Sequence, residues 1–233
     1  MKIRMADLTI SIHNRYPDIE EYCRDYIVDE EETEDFTASV SQEEILLEDR
    51  KVSPSWPGEA ELACIYRFIG YRLTQYSGLI MHAVIMEVNG TGIAILADSG
   101  TGKTTLARNI LSAYQGRARI INGDKPILRL IDHHLMAYGT PWNGKERYGC
   151  NDSVELKKLC FIRRGPRNSI EGADAEKTME LLFPQLLIPV DEESVYVFCD
   201  LVDRILGVTE SYIATCTEDR MAAVTVIEGM NIC

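Results

Sequence analysis

Residues 97–104 form a short run of small and polar residues that could bind phosphate, reading Ala-Asp-Ser-Gly-Thr-Gly-Lys-Thr. The run satisfies the pattern G-x-x-x-x-G-K-[ST] except at its first position, where Ala97 replaces glycine. Small residues let consecutive backbone N–H groups close around phosphate oxygens at the positive end of a following helix. In that arrangement Lys103 reaches the β- and γ-phosphates, and the Thr104 hydroxyl ligates Mg²⁺. The run therefore predicts a nucleotide-binding loop.

The residues on either side of this loop predict the context that the motif requires. An apolar run at 93–97 predicts a strand before the loop, and Leu106, Ala107, Ile110 and Leu111 predict a helix after it. The alternative is a glycine-rich turn without a ligand. Alanine is tolerated at position 97 if its backbone φ is negative. The residues predicted to contact the nucleotide are Ser99, Gly100, Thr101, Gly102, Lys103, Thr104 and Thr105.

A histidine, His82, precedes the loop at the start of a predicted hairpin. The apolar runs 81–88 and 93–97 are separated by Asn-Gly-Thr-Gly, and Asn-Gly between two such runs indicates a β-hairpin. Imidazole titrates near neutral pH and can accept a hydroxyl proton, whereas a lone histidine among apolar residues more often has a structural role. The other histidines, at positions 13, 133 and 134, are interpreted as surface or packing residues.

The stretch from His82 to Asp124 resembles the catalytic domain of the HPr kinase/phosphorylase family. Members of that family place a histidine at the start of the hairpin, and their loop lysine follows it at the same separation as Lys103 follows His82 here. The Asp-Ser-Gly of the loop also matches. The loop is similar to that of ATP-dependent phosphoenolpyruvate carboxykinases, which share the fold. The resemblance implies a short, divergent member with an α/β fold and a mixed-sheet P-loop kinase core. The N-terminal residues do not resemble those of the full-length HPr enzymes.

The resemblance also implies roles for residues beyond the loop. The family carries two adjacent aspartates after a strand, and here Asn-Gly-Asp-Lys follows the strand residues 119–121. Asp124 takes the place of the second aspartate, which helps to hold the metal. Gly123 takes the place of the first, which is implicated as the catalytic base. The base is therefore left open among His82, Asp98 and Asp124, with Lys103 as the fourth predicted catalytic residue.

Two further polar segments have open interpretations. The segment TPWNGKERYG at 140–149 could contact the acceptor or the phosphates, with Lys145 or Arg147 neutralising transferred charge and Glu146 near the metal, or it could be an ordinary surface loop. The predicted metal ligands are accordingly Thr104, Asp124 and Glu146. The segment 163–166, Arg-Arg-Gly-Pro, favours a turn over an arginine clamp.

The composition and charge exclude several classes of protein. The 233 residues include 37 acidic and 24 basic side chains, for a net charge of −13. Residues 11–50 carry −11 of this, so the rest is nearly neutral at −2. Such a balance argues against a nucleic-acid-binding protein, and a nearly neutral body does not repel an anionic nucleotide. The acidic run 29–35 is interpreted as a solvated loop.

The hydrophobic patterns predict two units. Strands at 8–12 and 36–40 and a helix at 19–27 predict a small N-terminal α+β lobe over residues 1–55, ending at the proline-containing segment around Pro54 and Pro57. Residues 56–233 form the predicted nucleotide-binding catalytic domain. Within it, a strand is expected at 120–121 and another at 212–216. Helices are expected at 62–73, 173–183, 191–206 and 218–229.

The cysteines and the lack of long apolar runs indicate the cellular compartment of the protein. Seven scattered cysteines without a C-x-x-C pair indicate reduced thiols. The sequence shows no secretory signal, and none of its apolar runs approaches the length that a membrane-spanning helix needs. We therefore expect a cytoplasmic protein without a membrane partner. A homo-oligomer is compatible with the sequence.

Together these features predict an ATP- and Mg²⁺-dependent kinase that transfers the γ-phosphoryl group to a hydroxyl acceptor. We favour a small polyol-like metabolite over a serine of a protein or peptide, because no basic or apolar docking surface is evident in the sequence. A nucleotide-binding regulatory module with little catalysis is the alternative, since Ala97 and Gly123 depart from the patterns. Carboxykinase activity is disfavoured, because the chain is much shorter than those enzymes.

Overall fold

The apolar patterns fold into a mixed α/β architecture in the computed structural model, which describes residues 1–51, 56 and 58–232. The strands in this part of the chain are β1 (Lys2–Met5), β2 (Leu8–His13), β3 (Ile27–Val28), β4 (Phe36–Ser39), β5 (Gly78–Ile80), β6 (Val84–Val88), β7 (Thr91–Leu96), β8 (Ala118–Asn122), β9 (Ile127–Ile131), β10 (His134–Tyr138), β11 (Ser153–Arg164), β12 (Ser169–Gly172) and β13 (Glu210–Cys216). The helices are α1 (Asp18–Cys23), α2 (Gln42–Asp49), α3 (Glu59–Arg72), α4 (Lys103–Ala113), α5 (Ala175–Leu182), α6 (Glu192–Val208) and α7 (Met221–Gly229). Short 3₁₀ turns lie at Arg24–Tyr26, Leu73–Tyr76 and Phe183–Gln185.

The N-terminal strands form a four-stranded sheet in the order β3-β1-β2-β4. Strands β1 and β2 are antiparallel, whereas β2 and β4 are parallel. The buried side chains of this sheet belong to one hydrophobic cluster with Ile65 and Ile69 of α3 and Ile127 of β9. The cluster thus joins residues on both sides of position 55, and the domain division there stays a prediction. Pro54 and Pro57 lie outside the described residues.

The larger sheet has nine strands, of which seven follow the order β5-β9-β10-β11-β7-β6-β8. Strand β11 is long enough to pair in parallel with both β7 and β13, and β12 adds to β13 antiparallel. Apolar side chains of α6 pack with one buried cluster of this sheet, and those of α4 and α7 pack with another. The predicted α/β architecture with a mixed sheet is confirmed at this level.

The hairpin before the loop is confirmed, but its first strand is shorter than predicted. Strands β6 and β7 pair antiparallel around Asn89 and Gly90, whose φ values of 50° and 79° are those of a tight hairpin turn. Strand β6 begins at Val84, not at residue 81. The reason is that residues 81–83 bond to other segments, since the His82 N–H donates to the carbonyl of Gln185 at 2.7 Å.

Several other elements differ from the sequence expectations. The helix predicted at 19–27 is confirmed only in part, because α1 ends at Cys23, a 3₁₀ turn follows and Ile27 begins β3. The hairpin of β9 and β10, the long strand β11 and the helix α2 were not expected. Helix α3 and helices α5 to α7 match the expected positions within a few residues. No helix in the described ranges combines the length and the apolar character needed to cross a bilayer.

Candidate functional site

The loop between β7 and α4 has a backbone that requires glycine at two positions. Gly100 has a φ of +79° and Gly102 a φ of +122°, values that side-chain-bearing residues rarely adopt. A Cβ at either position would meet no atom within 4 Å, so the backbone conformation, and not the available space, selects glycine. Ala97 is absent from the non-glycine residues with positive φ in the described chain. Its φ therefore satisfies the condition under which alanine can replace the first glycine of the pattern.

Helix α4 begins at this loop with its first N–H groups available to a ligand. Its N-cap residue is Gly102, which has no side chain to accept a hydrogen bond from the first turn. The first turn carries no acidic residue, and it contains the half-buried Thr104 and the exposed Thr105. The positive end of the helix dipole is therefore directed at the loop, where it favours an anion.

Lys103 is almost buried at the start of α4, with 9% of its surface exposed. Its Nζ donates a hydrogen bond to the carbonyl oxygen of Ala97 at 2.6 Å. Burial lowers the pKa of the Lys103 ammonium, while the carboxylates of Asp124 and Asp98 act in the opposite direction. The lysine therefore lies within electrostatic range of both carboxylates.

Four polar side chains from four separate segments form a continuous chain beside Lys103. Nε2 of His82 lies 3.2 Å from Oδ1 of Asp124. Nδ1 of His82 lies 3.2 Å from Oε1 of Gln185, and Nε2 of Gln185 donates to Oδ1 of Asp98 at 3.4 Å. The structure thus brings together all four predicted catalytic residues, His82, Asp98, Lys103 and Asp124, and adds Gln185 to them.

Asn122 positions the turn that carries Asp124. Its Oδ1 accepts the backbone N–H groups of Asp124 and Lys125 at 2.9 and 2.8 Å. Its Nδ2 donates to the carbonyl and the hydroxyl of Thr140, so the fully buried amide uses both ends. The backbone carbonyl of Asp124 accepts the N–H of Ala83 at 2.9 Å, which holds this turn against the segment of His82.

The segment 140–149 packs against Gly123 and leaves no room for a side chain there. A Cβ at position 123 would lie 2.7 Å from the carbonyl oxygen of Asn143 and 3.0 Å from that of Tyr148. Both atoms belong to the backbone, so they cannot move aside easily. Trp142 of the same segment is buried, and its carbonyl accepts the N–H of Lys125. The segment is therefore a support for the Asp124 turn and not an ordinary surface loop.

Two charged residues of this segment, Glu146 and Arg147, have partners outside the polar chain. Glu146 lies 3.7 Å from a guanidinium nitrogen of Arg108 on α4. The guanidinium of Arg147 lies over the ring of Tyr22 in the N-terminal unit, 5.0 Å from its centre. The structure gives no contact between Glu146 and the polar chain, and a metal-binding role for Glu146 stays a prediction.

Arg164 and Gln185 contact the site although the sequence analysis did not assign them to it. Nε of Arg164 donates to the carbonyl of Thr101 at 3.0 Å, and Nη2 donates to that of Gly100 at 2.9 Å. The turn expected at 163–166 was wrong in its first half, because both arginines end β11. Strand β11 runs parallel to β7, and carboxyl ends of parallel strands share one edge. This topology explains the position of Arg164 but was not evident from the sequence, and nothing in the sequence indicated Gln185.

Two cavities border the loop, and Arg164 lines both of them. The larger, of about 640 Å³, is lined by loop residues 97–101, the end of β11 and the segment 180–185. The smaller, of about 40 Å³, is lined by residues of α4 and by the end of β13. Asp98 and Gln185 line the larger cavity, which therefore opens beside the polar chain.

The donor set at this site suits a magnesium ion held partly by a nucleotide. The described residues contain no group of three or more His, Cys, Asp or Glu side chains that could hold a metal without other ligands. Mg²⁺, however, is usually bound through one or two carboxylates together with substrate phosphates and water. The hydroxyl of Thr104 and the carboxylate of Asp124 fit that pattern.

Comparisons with known proteins give a distant structural similarity. No protein-family model matches the chain, and no curated protein matches it. Among solved structures, the chain is similar to the HPr(Ser) kinase/phosphatase from Coxiella burnetii, with a TM-score of 0.30 and 11% sequence identity. The match covers 53% of this chain and 86% of that chain. A similarity at this level does not assign the chain to that family, so its function is inferred from the geometry of the site.

Proposed function

We propose that the protein is an ATP- and Mg²⁺-dependent kinase that transfers the γ-phosphoryl group to a hydroxyl acceptor. The observation that carries the proposal is the convergence of His82, Asp98, Lys103 and Asp124 at the uncapped end of α4. Phosphoryl transfer needs little covalent chemistry from the protein, because positioning and charge stabilisation provide most of the catalysis. A cation, two carboxylates and an imidazole at one helix terminus supply both.

The loop would hold the triphosphate through the backbone N–H groups of residues 99–105. Lys103 would leave the carbonyl of Ala97 to contact the β- and γ-phosphates. The terminal phosphate would lie near Lys103, Asp124 and the larger cavity. The nucleoside would then extend toward the smaller cavity between α4 and β13. Arg164 would add positive charge between the two sides.

Thr104 and Asp124 would hold the magnesium ion, and Glu146 could join them only by leaving Arg108. When bound, the ion would neutralise negative charge that develops on the β- and γ-phosphates. Asp124 is placed for this role by its turn, which Asn122 fixes from the opposite side. Lys103 is placed for the same charge from within the helix.

The acceptor would enter through the larger cavity and meet the polar chain. Its hydroxyl proton would pass to His82, Asp98 or Asp124 as the hydroxyl oxygen attacks the γ-phosphorus and the bond to the bridging oxygen of ADP breaks. A volume of about 640 Å³ lies within the usual range of small-molecule sites, which supports a small polyol-like acceptor. A serine side chain of a protein or peptide is the alternative.

The proposal is tested by incubating the purified protein with γ-labelled ATP, Mg²⁺ and a panel of polyols, sugars and serine-containing peptides. We expect label in a phosphate ester of one class. Lys103→Ala should lower the transfer rate by roughly 10²-fold or more, because it removes the cation that contacts the transferred group. Lys157→Ala is the matched control, since Lys157 is an exposed lysine of β11 paired with Glu155. Equal rates for wild type and Lys103→Ala would refute the site.

A nucleotide-binding regulatory module with little catalysis is the second candidate function. The observation that favours it is the closed space at Gly123, which has no room for the first aspartate of the family that the sequence resembles. Binding of Mg²⁺-ATP with no transfer to any acceptor, and no dependence of ATP turnover on added acceptor, would support this candidate over the kinase.

A further inference from the structure

Two cations near the Asp124 turn are held by aromatic rings instead of by carboxylates. Nζ of Lys125 lies 4.7 Å from the centre of the Tyr66 ring, and the guanidinium of Arg147 lies 5.0 Å from the centre of the Tyr22 ring. Neither cation forms an ion pair within residues 1–51, 56 and 58–232. An aromatic face attracts a cation without neutralising its charge, so both charges can still attract an anion. We call these four residues the cation cluster.

The cation cluster lies at the Asp124 end of the polar chain. Lys125 follows Asp124 directly in the sequence. On the other side, a Cβ on Gly144 would lie 3.3 Å from Cβ of Asp124, so the segment that carries Arg147 packs against the same aspartate. Burial raises the pKa of both tyrosines of the cluster, and the negative charge of Asp124 acts in the same direction. The cluster is therefore within electrostatic range of the proposed transfer site.

A buried donor without a partner lies next to the cation cluster. Trp142 is 5% exposed, and the centre of its ring system lies 5.4 Å from that of Tyr66. Its indole Nε1 has no hydrogen-bond partner in the part of the chain that the structure describes. Most buried polar groups in folded proteins are paired, and a ligand oxygen is one group that can supply a missing acceptor. Two cations and an unpaired donor suit a ligand group with negatively charged oxygens.

We infer that the cation cluster binds an anionic group of the acceptor, so that the acceptor is a polyol that carries a carboxylate or a phosphate. The inference deepens the proposed function and rests on it for the transfer step. The polar chain runs from Asp98 beside the larger cavity to Asp124 beside the cluster. An acceptor along this chain would place its hydroxyls against hydrogen-bonding side chains and its anionic end against Lys125 and Arg147. The anionic group makes and breaks no bond, and it determines which hydroxyl reaches the γ-phosphate.

The inference is tested by titration calorimetry with matched polyols, in the presence of Mg²⁺ and a non-hydrolysable ATP analogue that occupies the loop. The pairs are sorbitol with gluconate and glycerol with glycerol 3-phosphate, so that each anionic probe is compared with a neutral molecule of the same carbon length. We expect at least one anionic probe to bind the wild type about tenfold more tightly than its neutral partner, or better. The pair with the larger ratio identifies the group as a carboxylate or a phosphate.

Substitutions then locate the bound anion. The double variant Lys125→Met/Arg147→Met should bind both members of each pair equally, because it removes both charges and keeps long side chains. Lys125→Arg/Arg147→Lys retains both charges and should retain the preference. Lys145→Met, which removes an exposed cation of the same segment, is the matched control and should keep the wild-type ratio. A purely structural role of the two cations would change the thermal midpoint and leave the ratio unchanged.

The binding ratio and the transfer reaction fail separately. The inference would be overturned by equal binding of neutral and anionic probes to the wild type, by no binding of either anionic probe, or by a preference that Lys125→Met/Arg147→Met retains. A preference that depends on the cation cluster, with no label transferred from γ-labelled ATP to any acceptor, would overturn the kinase proposal and leave the anion site standing. Transfer to neutral and anionic polyols with equal kcat/KM would overturn the inference and leave the kinase proposal intact.

Discussion

The carboxylates that bind the N-terminal residues and those beside the loop differ in burial and in their partners, since Asp98 is exposed and Asp124 is half-buried. Glu61 of α3 is fully buried and accepts three hydrogen bonds from the backbone N–H groups of Arg15 and Tyr16, at 2.9 to 3.1 Å. Asp98 and Asp124 instead face side chains of His82, Gln185 and Lys103. Partners in the backbone cannot leave without unfolding, whereas side chains can exchange one partner for another.

This difference separates acids that stabilise the fold from acids that are available for chemistry. Glu48 also stabilises the fold, although its partner is a side chain, because it is buried and both of its carboxylate oxygens accept from the guanidinium of Arg67, at 3.0 and 2.6 Å. The acidic run 29–35 is largely exposed, as expected of a solvated loop, but Asp35 accepts the N–H of Thr9 at 2.8 Å and Glu34 pairs with Lys2. Some of the acidic side chains of the N-terminal segment, namely Glu34 and Asp35, therefore stabilise its sheet.

The largest effect is expected when the negative charge of a carboxylate at the loop is removed. Asp124→Asn should lower kcat for phosphoryl transfer by roughly 10²- to 10⁴-fold, because the carboxylate for the metal and the partner of His82 is lost. The thermal midpoint should stay close to the wild-type value, since the side chain is partly exposed and asparagine has the same shape. Asp152→Asn, an exposed aspartate paired with Arg119, is the control for kinetics. A large loss of stability with an unchanged kcat would place Asp124 in the structural group.

The converse substitution should affect stability and leave catalysis intact. Glu61→Leu leaves the N–H groups of Arg15 and Tyr16 without their buried acceptor, which costs about 1–3 kcal/mol per group. Chemical denaturation should therefore show a clear decrease in the free energy of unfolding, while kcat per folded molecule stays at the wild-type level. Glu43→Leu, at an exposed position of α2, should change neither quantity appreciably. Equal denaturation midpoints for both variants would contradict the structural role of Glu61.

Arg164 lies between the two groups, because its partners are carbonyls of the loop itself. Arg164→Met should raise the Kd for Mg²⁺-ATP about tenfold, which corresponds to about 1.4 kcal/mol, through the loss of two donors and one positive charge. Arg167→Met is the control, since Arg167 is exposed and is not among the residues that line the two cavities. Titration calorimetry that gives the two variants the same Kd would show that proximity to the loop is irrelevant.

The smallest expected effect concerns the pH dependence of stability. The hydrogen-bonded guanidinium of Arg67 lowers the pKa of Glu48 below its ordinary value of 4.5. A lowered folded-state pKa contributes stability that is present above the unfolded value and is lost as the pH falls through the folded one. Glu48→Gln should therefore reduce the free energy of unfolding near neutral pH, and the difference from the wild type should shrink below pH 4.5. A difference that grows as the pH falls would contradict a lowered pKa of Glu48 in the folded protein.

The hairpin of β6 and β7 and helix α4, which flank the loop, could be predicted because short stretches of sequence indicate them. The Asn-Gly turn predicts the hairpin of β6 and β7, and the apolar spacing after Lys103 predicts α4. The hairpin of β9 and β10 was missed because its turn uses Asp132 and His133, whose φ values of 47° and 67° give the same geometry without a glycine. Strand β11 was missed because residues 159–162 in its second half form a continuous buried apolar run, which shows no period-2 alternation.

The site could be predicted from the sequence only where a motif carries it. His82, Lys103 and Asp124 were named from spacing and resemblance, and the structure brings them together. Gln185 is remote in the chain from both Asp98 and His82, and only the packing of its 3₁₀ turn against residue 82 places it between them. The glycine at 123 was visible as a departure from the family pattern. Its physical reason, the backbone of residues 143 and 148, was not.

The most direct test of the proposed site is a structure with a non-hydrolysable ATP analogue and Mg²⁺. The predicted result is a triphosphate on the N–H groups of residues 99–105, with its terminal phosphate at Nζ of Lys103 and the cation between Thr104 and Asp124. The terminal phosphate should face the cavity that Asp98 and Gln185 line. An analogue bound elsewhere, or one whose terminal phosphate points away from Lys103 and Asp124, would contradict the proposed phosphoryl transfer.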